Sequence, residues 1–92
     1  MEIVIDLPVK HQKNIFGQLD SYIKTIEKNL NITLIIRDDE IKLIGESDNV
    51  DKAKKVFKEL LELSKNGNAI TDQNVNYALS LAMDDKTGSL IE

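Results

Sequence analysis

The stretch NITLIIRDDEIKLIG, residues 31–45, decides the fold of this chain. Ile32, Leu34 and Ile36 recur at every second position, and the same alternation resumes in residues 40–45 after two aspartates. A period of two is typical of a half-buried β-strand, and consecutive aspartates between two such runs favour a tight turn. The stretch therefore predicts two antiparallel strands joined as a hairpin.

A further strand is predicted at residues 2–7, near the start of the chain. Ile3, Ile5 and Leu7 are expected to face inward, and the strand is closed by Pro8, which has no N–H to donate to a ladder. A short helix then runs from Val9 to residue 15 or 16. It is predicted to end at Gly17 in a left-handed helix cap.

Three amphipathic stretches predict the remaining helices. The first, residues 19–30, places Leu19 on the same buried stripe as Ile23, Ile26 and Leu30, with Asp20 or Ser21 as its N-cap. The second runs from a Ser47 cap to Gly67, the expected C′ position. Its predicted buried face is Val50, Ala53, Phe57, Leu60, Leu61 and Ser64. The third starts at Thr71, with Ile70 and Val75 spaced as a hydrophobic staple, and its stripe is Val75, Ala78, Leu79 and Ala82.

The predicted order is β-α-α-β-β-α followed by one extra helix, a two-layer α+β domain with a three-stranded antiparallel sheet. Residues 1–69 are expected to form the α/β domain, 70–83 the additional helix, and 84–92 a linker or disordered tail. On the sheet face opposite the core, Val4, Ile35 and Ile44 predict a partner-packing face. The fourth helix, a second copy of the chain or a further domain are the candidates to cover it.

Composition excludes several classes of site. The 92 residues suffice for one domain, and they contain no cysteine and a single histidine, His11. Disulfides, thiolate zinc sites and a thiol nucleophile are therefore excluded, and His11 alone cannot complete a catalytic triad. The net charge of −4 disfavours nucleic-acid binding through bulk electrostatics. No apolar run spans a bilayer and the first residues lack a basic segment, so we expect a cytoplasmic protein without a membrane partner.

Several local motifs resemble a known family. The run Ile15-Phe16-Gly17-Gln18-Leu19-Asp20, followed by Ile23 and Ile26, looks like the loop and second helix of the KH nucleic-acid-binding fold. Phe16 to Asp20, together with Gly45-Glu46 and Asn49-Val50, is similar to the N-terminal region of PhoH-like proteins. The resemblance covers roughly residues 2–82 and is distributed rather than carried by one motif.

The resemblance implies a non-catalytic accessory domain of a larger ATPase. PhoH-like proteins resemble helicase-type P-loop ATPases, yet the sequence contains no G-x-x-x-x-G-K-[ST] loop, and Lys86-Thr87-Gly88 is only a fragment in the wrong order. ATP and Mg²⁺ are then expected only in a downstream P-loop ATPase domain of the same protein, which would be the main partner. No catalytic or metal-ligating residue is expected here.

In KH domains a GXXG loop grips the nucleic-acid backbone. The matching residues are Gly17, Gln18, Leu19 and Asp20, so a carboxylate replaces the second glycine. The basic residues that could support such a site are Lys13, Lys24 and Lys28. One interpretation is an RNA-binding site, while the other is an ordinary helix cap beside a solvated face. Under the second, the chain is a protein-interaction or self-association domain without nucleic-acid contact.

Overall fold

The computed structural model describes residues 1–83, and the predicted tail 84–92 lies outside the described residues. The elements and their bounds are β1 (Glu2–Asp6), α1 (Val9–Phe16), α2 (Ser21–Leu30), β2 (Thr33–Arg37), β3 (Glu40–Ile44), α3 (Ser47–Lys65) and α4 (Asp72–Met83). This order confirms the α+β class with a three-stranded sheet and one extra helix.

The hairpin's second strand is the centre of the sheet. The spatial order is β1-β3-β2, and both pairings are antiparallel. Ile5 and Ile36 lie opposite Ile41 from either side, and Ile3 and Leu34 likewise flank Leu43. Ile41 and Leu43 are fully buried, because the central strand is covered on its inner face by helices and at both edges by strands.

The core lies between this inner sheet face and the helices. Its largest fully buried side chains are Phe57, Leu7, Ile15, Ile26, Ile41, Leu43, Leu60, Val50, Val56 and Val75. Of the predicted face of α3, Leu61 is only partly buried, whereas Val56, which was not predicted, is buried. On β1, Ile3 and Ile5 are partly buried because this strand is at an edge of the sheet, and Leu7 is fully buried.

The predicted start of α2 at residue 19 is wrong. The helix begins at Ser21, and Leu19 is 90% exposed instead of lying on the buried stripe with Ile23. Leu19 and Asp20 have φ of 52° and 59°, so the chain turns in left-handed backbone before the helix can start. Neither predicted cap acts through its side chain: Asp20 precedes the helix without a capping hydrogen bond.

The two ends of α3 differ in whether their free backbone groups have capping hydrogen bonds. Ser47 is its first helical residue rather than its cap, and the preceding Glu46 makes no side-chain capping bond. At the other end, the Gly67 N–H donates to the Ser64 carbonyl and the Asn68 N–H to the Leu63 carbonyl. This pair of bonds around a glycine with φ of 89° is a Schellman motif, so the predicted C′ role of Gly67 is confirmed.

Helix α4 begins with a reciprocal cap. The Asn74 N–H donates to the Thr71 hydroxyl, and the Thr71 N–H donates to Asn74 Oδ1. Thr71 is therefore the cap and Asp72 the first helical residue, one position later than predicted. Ile70 and Val75 are both buried as the staple requires.

The outer sheet face is not covered by α4. That helix packs against α3 and α2 and contacts none of the three strands. Val4 and Ile35 are 49% and 39% exposed, while Ile44 is partly buried. Lys42, which lies between Val4 and Ile35 in the register, forms an ion pair of 3.1 Å with Glu2. Of the candidate covers named above, the fourth helix is thus excluded.

Candidate nucleic-acid interface

The loop between α1 and α2 is built on Gly17. Its N–H donates to the Lys13 carbonyl at 3.3 Å and so ends α1. Gly17 has φ of 79° as predicted, but its ψ of 174° lies outside the left-handed helical region, in a region of positive φ open essentially to glycine alone. A Cβ at this position would lie 2.7 Å from Tyr22 Cδ2 and 2.9 Å from Ser21 Oγ. Both the backbone angles and the close approach of α2 therefore require glycine.

The next residues form a tight turn, Gln18–Asp20, closed by the Asp20 N–H donating to the Gly17 carbonyl at 3.2 Å. Left-handed backbone is unfavourable for residues with a Cβ by about 1–2 kcal/mol each, less for aspartate than for leucine. Leu19 and Asp20 nevertheless adopt it with both side chains exposed to solvent. Strain held in an exposed loop is a feature of functional sites more often than of simple connections.

One wall of the loop comes from the segment between α3 and α4, residues 66–71, which we call the connector. Asn14 on α1 holds it: the Ile70 N–H donates to Asn14 Oδ1 at 2.8 Å, and Asn14 Nδ2 donates to the Asn68 carbonyl at 2.8 Å. From α2, the Tyr22 hydroxyl donates to the Ile70 carbonyl at 3.1 Å. The same tyrosine ring that packs on Gly17 therefore also positions the connector.

These walls enclose an open groove of about 530 Å³ beside the Gly17 loop. Its lining residues are Lys13, Asn14, Gly17, Gln18, Leu19, Tyr22 and Ile70. None of them is acidic. The Asn14 amide is engaged in the bonds to Ser64 and the connector, whereas the Lys13 and Gln18 side chains make no hydrogen bond or ion pair within residues 1–83.

The three lysines named in the sequence do not converge on this groove. Lys13 lines it, but Lys24 and Lys28 do not. At about 100° per residue on α2, Lys24 is about 60° from Glu27 and about 160° from Tyr22, so it lies on the side of the helix that faces β2. Both Lys24 and Lys28 are exposed.

On the β2 side of α2, a carboxylate bonds the edge of the sheet. The Leu34 N–H, on an edge strand, donates to Glu27 Oε2 at 2.9 Å. Leu34 is buried and Glu27 is partly buried. The two sides of α2 thus differ in charge: Glu27, about 9 Å along the helix from its first residue, lies on the β2 side, and Lys13 lines the groove on the other side.

The contact between His11 and Ser64, behind the loop, holds the fold together and is not an active site. His11 Nδ1 lies 2.7 Å from Ser64 Oγ, and Asn14 Nδ2 donates to the same oxygen at 3.0 Å. Ser64, on α3, is only 8% exposed and bonds to two side chains of α1, so a substrate carbonyl has no approach to it. Within residues 1–83 no group of acidic or histidine side chains is arranged to hold a metal ion.

Asn14, Tyr22 and Ile70 were not named as site residues from the sequence. Ile70 was recognised only as half of a hydrophobic staple, and its bonds to Tyr22 and Asn14 span 48 and 56 residues of chain. An aromatic residue five positions after a helix-ending glycine was the one local signal that could have pointed to Tyr22. The described helices include none long and apolar enough to cross a membrane.

The fold and the loop together define a KH-like α+β domain with a glycine turn between its first two helices. A crystal structure of a protein of unknown function from Aeropyrum pernix shares this fold, with a TM-score of 0.71 and 18% identity over 99% of this chain and 51% of that one. No protein-family profile matches the chain.

The sequence relatives identify the family. A PhoH-like protein of Bacillus subtilis is 33% identical over 69 residues, which are 75% of this chain. A PhoH-like protein of Mycobacterium tuberculosis is 26% identical over 77 residues, or 84% of this chain. The chain belongs to the PhoH-like family, as a domain that spans 22% of the length of these curated relatives.

Proposed function

We propose that this chain is the N-terminal accessory domain of a longer PhoH-like protein and that it presents single-stranded RNA to an ATPase domain further along. The homology over only 22% of the relatives' length supports a role as one part of a larger protein. ATP and Mg²⁺ would bind to the P-loop domain, and the chemistry would take place there. This domain would contribute binding and orientation.

The observation that carries the RNA role is the geometry of the Gly17 loop. Two helices meet at a tight turn, as in the KH loop that contacts a nucleic-acid backbone, and the side chains of Gln18, Leu19 and Asp20 project into solvent. The proposed contact residues are those of the loop and three lysines on the helices beside it: Gly17, Gln18, Leu19, Asp20, Lys13, Lys24 and Lys28.

Asp20 sets the strength of this interaction. Its carboxylate is exposed at the N-terminal end of α2, and it makes no capping bond that would draw it away from a bound phosphate. A negative charge near a phosphate opposes binding, so the affinity of the isolated domain would be low and strongly dependent on salt.

The test is an NMR titration of the ¹⁵N-labelled chain with a single-stranded RNA of about ten nucleotides at low salt. Amide shifts are expected to concentrate at residues 17–21. Asp20→Asn should tighten binding about threefold, because it removes one repulsive charge and keeps the side-chain shape. Asp39→Asn, which removes an equally exposed charge at the hairpin turn, is the matched control and should change nothing. If RNA produced no shifts even with Asp20→Asn, the RNA role would be wrong.

A second candidate function, protein interaction, is favoured by the exposed apolar side chains of the outer sheet face. Val4, Ile35 and Ile44 lie on neighbouring strands and are not covered by α4. A second copy of the chain or a further domain of the protein would bury them. Sedimentation equilibrium of the chain and of its Ile35→Lys variant would detect self-association through this face. A monomer at all concentrations in both would leave only another domain as the partner.

A further inference from the structure

The two sides of α2 offer a nucleic-acid strand different surroundings. On the β2 side, the Leu34 N–H donates to the Glu27 carboxylate. This backbone donor is therefore not available to a ligand, and the carboxylate adds a negative charge. On the connector side, the lining of the groove contains one cation, Lys13, and no acid. A polyanion is therefore favoured on the connector side.

The groove on that side has the size and composition of a small-ligand site. Its volume of about 530 Å³ lies within the usual range for such pockets, about 300–1,000 Å³. Apolar surface is supplied by the Tyr22 ring, Ile70 and Leu19, and the free amide of Gln18 provides both a donor and an acceptor. Lys13 supplies the charge.

The groove is also held in place before any ligand arrives. Asn14 binds both Ile70 and Asn68 of the connector, and Tyr22 binds Ile70 from the opposite side. Gly17 cannot move toward Tyr22, because the two are already in close contact. A preorganised pocket loses little conformational entropy when it is filled.

We propose that this groove is a pocket for one nucleotide of a single-stranded RNA, with the base against Tyr22 and Ile70, its edge at Gln18, and the phosphate at Lys13. A nucleotide combines a flat ring with an anionic group, which matches this combination of apolar wall, amide and ammonium. The inference rests on the proposed RNA role and adds the side of the loop on which the strand lies.

The experiment measures the affinity of a ten-residue oligouridylate, about the length of one single-strand site, by fluorescence anisotropy across a range of salt concentrations. For single strands, each phosphate contact contributes about −0.7 to the slope of log K against log salt. Lys13→Gln is expected to make the slope less negative by about 0.7. Lys54→Gln, at an exposed lysine on α3 that lies outside the groove and outside the proposed contact residues, is the control and should leave the slope unchanged.

Chemical shifts in the same complex separate the possible failures. The pocket predicts RNA-induced shifts at the Gln18 side-chain amide and at the backbone of Tyr22 and Ile70. Shifts confined to Glu27, Lys28 and Leu34, with a slope that responds to Lys24→Gln instead, would overturn the pocket and leave the RNA role standing. No shift at any residue would overturn both.

Discussion

Gly17 lies where the end of α1 meets the ring of Tyr22 and the hydroxyl of Ser21. A Cβ would approach both closely, at 2.7 Å and 2.9 Å. Gly67 also has a positive φ, 89° against 79°, but an added Cβ there would meet no atom within 4 Å. Gly67 therefore reports the cost of a positive φ without crowding, whereas Gly17 combines crowding with a less favourable backbone region.

We expect Gly17→Ala to lower the free energy of unfolding by about 2–4 kcal/mol, because backbone strain and the contact with Tyr22 act together. Gly67→Ala should lower it by about 1 kcal/mol, since only the left-handed backbone is penalised. Urea denaturation followed by circular dichroism measures both. Equal losses in the two variants would show that Tyr22 moves aside at no cost and that the wall of the groove is soft.

At the scale of the element, the starts of α3 and α4 show that a residue type typical of N-caps acts as a cap only when it lies directly before the helix. Ser47 and Thr71 both look like N-caps in the sequence. Only Thr71 acts as one, exchanging bonds with Asn74, whereas Ser47 is already the first residue of α3. Glu46 is instead the residue in extended backbone immediately before α3, and its side chain makes no capping bond.

Thr71→Ala should therefore lower the free energy of unfolding by about 1 kcal/mol, the usual value of a lost cap. Ser47→Ala should leave it unchanged or raise it slightly, because alanine is the better helix former. Thermal unfolding of the two single variants makes the comparison. A larger loss for Ser47→Ala than for Thr71→Ala would contradict the assignment of the caps.

At the scale of the molecule, α4 belongs to the same core as the KH-like elements. Val75, Ala78, Leu79 and Ala82 join one continuous cluster with the sheet and α1 to α3. The opposite side of α4 carries Tyr77 and Leu81, which are exposed. The domain boundary that the sequence predicts between residues 69 and 70 stays a prediction. Because α4 shares its core with the other elements, we expect the stability of the whole domain to depend on this helix.

Leu79→Ala is expected to lower the free energy of unfolding by about 2–4 kcal/mol and to do so in one cooperative transition, because its side chain is nearly fully buried. Leu81→Ala, at 46% exposure on the other face, should change it by no more than about 0.5 kcal/mol. Fluorescence and circular dichroism should report the same midpoint. Loss of α4 alone, with the sheet intact, would instead show that the helix unfolds independently.

Local patterns in the chain were enough to predict the elements and their order. The period of two in residues 31–45 and the helical stripes of α3 and α4 depend on neighbours close in the chain, so local patterns are sufficient for them. The same holds for Gly67 and for the staple of Ile70 with Val75, which each span no more than a few residues. The start of α2 was mispredicted, because Leu19 continues an apolar period that its backbone does not follow.

Only part of the candidate site could be predicted from the sequence. Gly17 and the loop residues were named from the sequence, but Lys13 was grouped with Lys24 and Lys28, which the helix geometry places on another side. The residues that form the groove depend on long-range packing, because Ile70 is brought to Asn14 and Tyr22 across 56 and 48 residues of chain. Contacts over such separations leave no periodic trace in the chain. The charge difference between the two sides of α2 has the same origin, since it requires Glu27 to reach the edge of β2.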